Sequence, residues 1–264
     1  MNPYLDFVKS IQAGIDEARS LSVSGKTEPL ASDSTVLLFS PHPDDECITG
    51  LLPLRLMRET GRRVVNIPVT FGSNVERQSG RAAELQDACE FLGFGIHQDR
   101  DNYASLDADG VARTLREFQP EIIFMPHKAD WNSRHISTHL LVMEALASLD
   151  REFSCVVVET EYWGAMSDPN LLVEGDAESV ADLVGAISLH AGEVARNPYH
   201  LLLPAWMQDN VRRGGELVGG QGGVAPDFSF ATLYRVSMWQ GGEHRPELET
   251  GAVLPIGEDF DALF

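Results

Sequence analysis

The chain has 264 residues, 43% hydrophobic, 8% aromatic and 23% charged, the profile of an ordinary soluble globular protein of one large domain or two small ones. No apolar run is long enough to span a bilayer. Lys and Arg number 20 against 40 Asp and Glu, a net charge of −20; that field keeps a chain soluble, repels nucleic acid and anionic membranes, and argues for a neutral or cationic small-molecule substrate.

Residues 3–20 place Tyr4, Phe7, Val8, Ile11 and Ile15 at helical spacing. This opening segment has neither the basic flank nor the apolar stretch of a secretory leader, and Cys47, Cys89 and Cys155 are scattered and odd in number, so reduced thiols in a cytoplasm are expected. A polar connection over 22–34 leads to VLLFSP (36–41), an apolar run closed by Pro41 that reads as a buried strand. Residues 46–61 read as a helix stopped by Gly61 and kinked or delayed by Pro53. VVNIPVTF (64–71) is a second strand, 76–92 a helix and 94–98 a short strand. A helix over 111–118, a strand over 121–126, a helix over 133–149 and a strand over 154–160 continue the alternation. Residues 181–194 read as a helix, 200–215 as a helix broken at Pro204, the glycine-rich 214–224 as a loop and 228–239 as a late strand. The tail beyond it carries no clear pattern.

Strands alternating with helices indicate an α/β protein, a Rossmann-like three-layer sandwich with a mostly parallel sheet. No linker divides the chain, so 1–264 reads as a single domain with a core over 35–150 and a less regular part over 151–264. Right-handed crossovers bring the loops after Ser40, Phe71, Met125 and Thr160 to one edge, the carboxyl edge where ligands bind. No GxGxxG follows the first strand, so a dinucleotide is not implied.

SPHPDDEC (40–47) falls on that edge and crowds His42, Asp44, Asp45 and Glu46 together. Imidazole and carboxylate suit zinc or another divalent transition metal. In an extended loop the side chains of Asp44 and Asp45 point apart, so one carboxylate can bind a metal while its neighbour takes a proton from an activated water. The competing reading is a turn with an aspartate capping the next helix. The second informative segment, PHKADWNSRHISTH (126–139), lies at the same edge and holds His127, Asp130, His135 and His139. His42 and Asp45 supply two ligands, and a histidine here supplies the third of a catalytic site. His135 and His139 share a helix face, so both can ligate, or one ligates while the other packs or acts from outside.

PHPDDE after a first strand, with a histidine motif beside a later strand, resembles the PIG-L/LmbE-like zinc-dependent N-deacetylases, which free the amine of N-acetylglucosaminyl compounds. The resemblance covers about residues 35–150 and implies a Rossmann-like fold. It places His42, Asp45 and His135 as metal ligands and Asp44 as general base. The family's HPDH motif falls on residues 132–135, so Asn132 stands where the family has a histidine that helps hold the oxyanion, with Ser133 and Arg134 in place of the proline and aspartate. Asn132 can donate a hydrogen bond there but carries no charge. His139, His127 or His190 can compensate, and His190, in SLHAGE where the family reads HxSQ, is favoured as the catalytic residue. Arg81 and Glu84 match a family RxxE pattern and read as a structural pair on their helix.

The resemblance thus implies a zinc hydrolase that deacetylates a small N-acetylated amino sugar or glycoside, with neither nucleic acid nor membrane as partner. The alternatives are a zinc amidase acting on another acyl group, and a sugar- or metal-binding relative without turnover. For a soluble homo-oligomer a two-fold dimer is the default.

Overall fold

The computed structural model describes residues 2–98, 103–246, 248 and 251–263. Helix α1 (Leu5–Ala18) buries none of its residues. The core begins with β1 (Thr35–Ser40), α2 (Asp45–Ile48), α3 (Leu51–Thr60), β2 (Arg63–Pro68) and α4 (Val75–Leu92). It continues with β3 (Gly95–Ile96), α5 (Ala108–Phe118), β4 (Ile122–Pro126), α6 (Ser133–Ala147) and β5 (Ser154–Thr160). The remainder comprises β6 (Leu171–Gly175), α7 (Ala177–Ser188), α8 (Ala191–Val194), α9 (Tyr199–Leu217), β7 (Phe230–Gln240), β8 (Glu243–Pro246), β9 (Ala252–Leu254) and a closing 3-10 turn.

One sheet runs β3-β2-β1-β4-β5-β7-β6-β9, with β8 paired to β7. The five strands from β3 to β5 are parallel; β7 runs antiparallel to β5 and β6. Alternate residues of β1 divide between two cores: Val36 and Leu38 pack with residues of α3, α4, α7 and α9, whereas Leu37 and Phe39 pack with residues of α5 and α6. This is the expected three-layer arrangement, both faces of the sheet being covered. None of the helices among the described residues is long and apolar enough to cross a membrane.

The helix expected over 46–61 is two helices. Gly50 stands at the break, where a Cβ would come within 2.4 Å of the Glu46 carbonyl oxygen. Pro53 is the third residue of α3, within the first turn where the missing N–H costs nothing. Tyr234 of β7 closes the break: its hydroxyl accepts from the Leu52 N–H at 3.1 Å and donates to the Thr49 carbonyl at 3.1 Å. Gly61 ends α3 at φ 74°, as expected.

Further along, the expected helix over 181–194 also divides, into α7 and α8, with His190 between them. Conversely α9 runs unbroken through Pro204, because Leu203 and Met207 on either side are fully buried in the core. Gly214 and Gly215 belong to α9, and the glycine-rich segment after it borders a surface groove whose lining contains none of the site residues described below. The short strands β6, β8 and β9 had no clear signature in the sequence.

Replacing Tyr234 with Phe leaves a buried donor and a buried acceptor unpaired at the α2–α3 break. The expected loss is about 1–3 kcal/mol, measured by denaturant unfolding with an unchanged m-value.

Candidate metal centre

The loops after β1, β4 and β5 meet at the carboxyl edge, as the topology requires. Pro41, Asp45, Asp130, His135, Glu161 and Tyr162 line one crevice there. The β1 loop folds back on itself: the Asp45 carboxylate accepts from the His42 backbone N–H at 2.9 Å. The same Oδ2 lies 3.4 Å from His42 Nδ1 and 3.4 Å from His135 Nε2. One ligand atom from each of His42, Asp45 and His135 falls within 4.8 Å of the other two.

Asp45 is only 3% exposed. Burial works against its charge, but His135 and His42 outweigh this and hold the carboxyl well below the usual range. His135 is likewise pushed down by burial, yet its position between Asp45 and Asp130 raises it to about 10. Asp130 Oδ2 approaches His135 Nδ1 at 3.4 Å, the far side of the ring. Such a carboxylate–histidine contact holds the ring and turns Nε2 toward Asp45. Asp130 appears in the sequence only as one acid of the second segment; its role depends on folding.

The donor set fits a divalent metal. His135 Nε2 and Asp130 Oδ2 are buried polar atoms without a hydrogen-bond partner, an expensive arrangement that a cation on the His135–Asp45–His42 side relieves at Nε2. His42, Asp45 and His135 are the residues that would hold it.

Asp44 stands beside this cluster but outside it. Its backbone takes φ 123°, unusual for a residue with a Cβ. Burial pushes its carboxyl well above the ordinary value, Asp45 and Glu46 add to this, and Arg81 pulls it back. The strained backbone is held from below: the Asp44 N–H donates to Glu46 Oε2 at 2.9 Å, and Glu46 Oε1 meets His190 Nε2 at 2.7 Å.

His190 therefore does not sit where a compensating catalytic group would. Its side chain and that of Glu46 are fully buried, and it braces Glu46 rather than facing the metal cluster. Glu46, Cys47 and His190 also converge, but Glu46 Oε1 is already engaged by both neighbours.

Asn132 caps α6, its carboxamide oxygen accepting from the Arg134 N–H at 2.9 Å. His139 lies outside the cluster, and its Nδ1 reaches the Pro126 carbonyl at 3.0 Å. His127 Nε2 donates to the Gly164 carbonyl at 2.7 Å, joining the loops after β4 and β5. Gly164 allows that approach, since a Cβ there would lie 2.7 Å from the Trp131 nitrogen. Arg81 and Glu84 do not act as a pair. Arg81 reaches the Pro43 carbonyl at 3.1 Å, and Glu84 accepts from the Gly192 N–H at 2.8 Å.

Aromatic residues outside the motifs border the site. Tyr162 contacts Trp163 and Trp206, and Trp163 contacts Tyr199, with ring centroids 4.9–5.1 Å apart. Burial pushes the Tyr162 hydroxyl up to about 12, with Tyr199, Asp44 and Asp45 adding to it, so it stays protonated as a donor.

Fold and site together define an α/β protein with a two-histidine, one-aspartate cluster at the carboxyl edge of a parallel sheet. The family described as PIG-L, GlcNAc-PI de-N-acetylase, matches residues 37–146, the stretch that holds His42, Asp45 and His135, so the resemblance read from PHPDDE is borne out over that segment. No curated relative matches by sequence. Among solved structures the chain is similar to N,N'-diacetylchitobiose deacetylase from Pyrococcus horikoshii (TM-score 0.58, 18% identity, 79% of this chain and 84% of that one). It is also similar to the 4-carboxy-2-hydroxymuconate hydratase GalB from Pseudomonas putida KT2440 (TM-score 0.57, 18% identity, 77% and 95%). A third similar structure is a deacetylase involved in the teicoplanin biosynthetic pathway (TM-score 0.57, 16% identity, 78% and 98%). These likenesses establish the fold.

Asp45→Ala and His135→Ala are expected to abolish stoichiometric zinc binding, whereas Asp130→Asn weakens it by about 10–100-fold. Competition against a chromophoric chelator measures all three, and wild-type affinity in Asp45→Ala would remove the centre.

Proposed function

We propose that the chain is a zinc-dependent hydrolase that removes an N-acetyl group from a small amino sugar or glycoside, with His42, Asp45 and His135 as metal ligands. The observation that carries this reading is the division of labour between adjacent aspartates. Asp45 is committed to the two histidines, while Asp44 is held beside them in a strained backbone and joins neither. A purely metal-binding protein has no use for such a carboxylate. The PIG-L match and the deacetylases of the same fold point the same way.

A divalent ion held by His42, Asp45 and His135 would supply Lewis acidity for the amide carbonyl and the attacking water. Asp44 takes the proton from that water as its oxygen attacks the carbonyl carbon. The C–N bond then breaks, Asp44 returns the proton to the nitrogen, and acetate and the free amine leave. A further donor is needed for the developing oxyanion. Asn132 caps the helix and does not line the crevice, whereas Tyr162 lines it with Asp45 and His135 and keeps its proton. Tyr162 therefore takes the part expected of Asn132. Trp163 and Tyr199 beside it offer rings suited to the apolar face of a pyranose.

Water addition to an unsaturated acid is a second reading, favoured by the hydratase of the same fold and by arginines near His42. Amine release identifies the deacetylase and loss of substrate conjugation identifies the hydratase. A panel of acyl groups separates acetyl from other amides.

Asp44→Asn is expected to keep its zinc and lose about 10²–10⁴-fold in kcat, measured by free-amine release from N-acetylated sugars; near-wild-type turnover would refute the base assignment. Tyr162→Phe is expected to lose about 10²–10³-fold in kcat. Asn132→Ala should instead appear mainly as a loss of about 1 kcal/mol in stability from the missing helix cap.

A further inference from the structure

A second cavity, of about 230 Å³, opens on the other side of His42. Four arginines line it: Arg77, Arg81, Arg134 and Arg196. They come from the first turn of α4, the body of α4, the first turn of α6 and the segment after α8, so the concentration is made by the fold. We propose that this cavity is a subsite for a compact oxyanion, a carboxylate or phosphate carried by the substrate whose reacting group lies at the His42–Asp45–His135 cluster. The proposal rests on reading that cluster as the reactive centre and adds the charge of the substrate.

The charge balance supports it. Among the described residues one carboxylate, Glu193, serves three of the four arginines. It accepts from Arg77 Nη2 at 2.6 Å and Arg196 Nη1 at 2.9 Å, and its Oε1 lies 3.6 Å from Arg81 Nε. Glu193 is buried, so it fixes the guanidinium groups it meets and offsets one of their positive charges. Arg134 makes no ion pair among the described residues. Glu84 lies close by as a second carboxylate, one oxygen accepting from the Gly192 N–H, and Asp44 lies on the Arg81 side, so the four arginines still outnumber the carboxylates around them.

Placement adds a second argument. Arg77 is the third residue of α4 and Arg134 the second of α6, so both cations sit at the positive ends of helix dipoles, where positive charge is unfavourable. The N-terminus of α4, whose cap Asn74 lines the cavity, and four guanidinium groups around one small space are complementary to an anion. Arg81 is fixed in advance: its guanidinium packs on Gly72, where a Cβ would lie 2.5 Å from Nη1, and donates to the Pro43 carbonyl. The cavity is too small for a whole disaccharide and suits an end group. A chain of net charge −20 that gathers arginines beside a metal ligand does so against its own overall field.

Calorimetry and amine release with N-acetylglucosamine, N-acetylglucosamine 6-phosphate and N-acetylmuramic acid test the proposal on the zinc-loaded protein. One of the two acids is expected to bind about 10²-fold tighter than the neutral sugar, the scale of one or two charge-assisted hydrogen bonds, and which acid it is identifies phosphate or carboxylate. Arg134→Ala and the Arg77→Ala/Arg134→Ala double variant are expected to lose that advantage with zinc content unchanged. Arg212→Ala, on the outer surface of α9, is expected to keep it. Equal binding of the three sugars, binding of none, or an advantage that survives the double variant overturns the subsite. An arginine-dependent advantage without amine release upholds the subsite and overturns the deacetylase reading instead.

Discussion

The site depends on one buried carboxylate. Asp45, at 3% exposure, keeps its charge only because His42 and His135 face the same oxygen and the His42 backbone donates to it. An unpaired charge at that depth would be neutralised by a proton instead. The carboxylate therefore draws together residues 93 positions apart in the chain, tying the loop after β1 to the start of α6. Asp130 holds His135 from behind.

Around that constraint the supports are arranged in layers. Glu46 and His190 hold the strained backbone of Asp44 through a chain of buried hydrogen bonds. Tyr234, from the antiparallel strand β7, satisfies the break between α2 and α3. The C-terminal third thus supplies none of the three residues of the cluster and much of what holds it in place. His127 and Gly164 join the loops on the far side of the crevice. Two neighbouring aspartates make different contacts as a result: Asp45 meets the two histidines and Asp44 does not.

Charge behaves differently on the two length scales. The chain as a whole repels anions, and that balance alone argues for a neutral or cationic substrate. At the carboxyl edge four arginines line one cavity, and three of them share Glu193. Solvent screens the distant acids within about 8–10 Å at ordinary ionic strength, so a substrate at the edge meets the local field and not the total.

The alternation of apolar runs with helical spacing determined the parallel half of the sheet, and PHPDDE after β1 determined where the chemistry lies, because both signals are local: periodicity sets an element and its exposed end sets a loop. Residues 154–160 and 133–147 are legible for this reason. The break at Gly50 and the unbroken passage through Pro204 are not, since packing against β7 and the core decides them. Nor are β6 and β9, three- to five-residue strands that exist only because β7 and its neighbours offer edges to pair with. The ligand motif alone does not reveal that His190 braces Glu46, that Asp130 orients His135, or that arginines from three separate elements share one cavity. Those are matters of a few ångströms between residues far apart in the chain, and only the tertiary structure decides them.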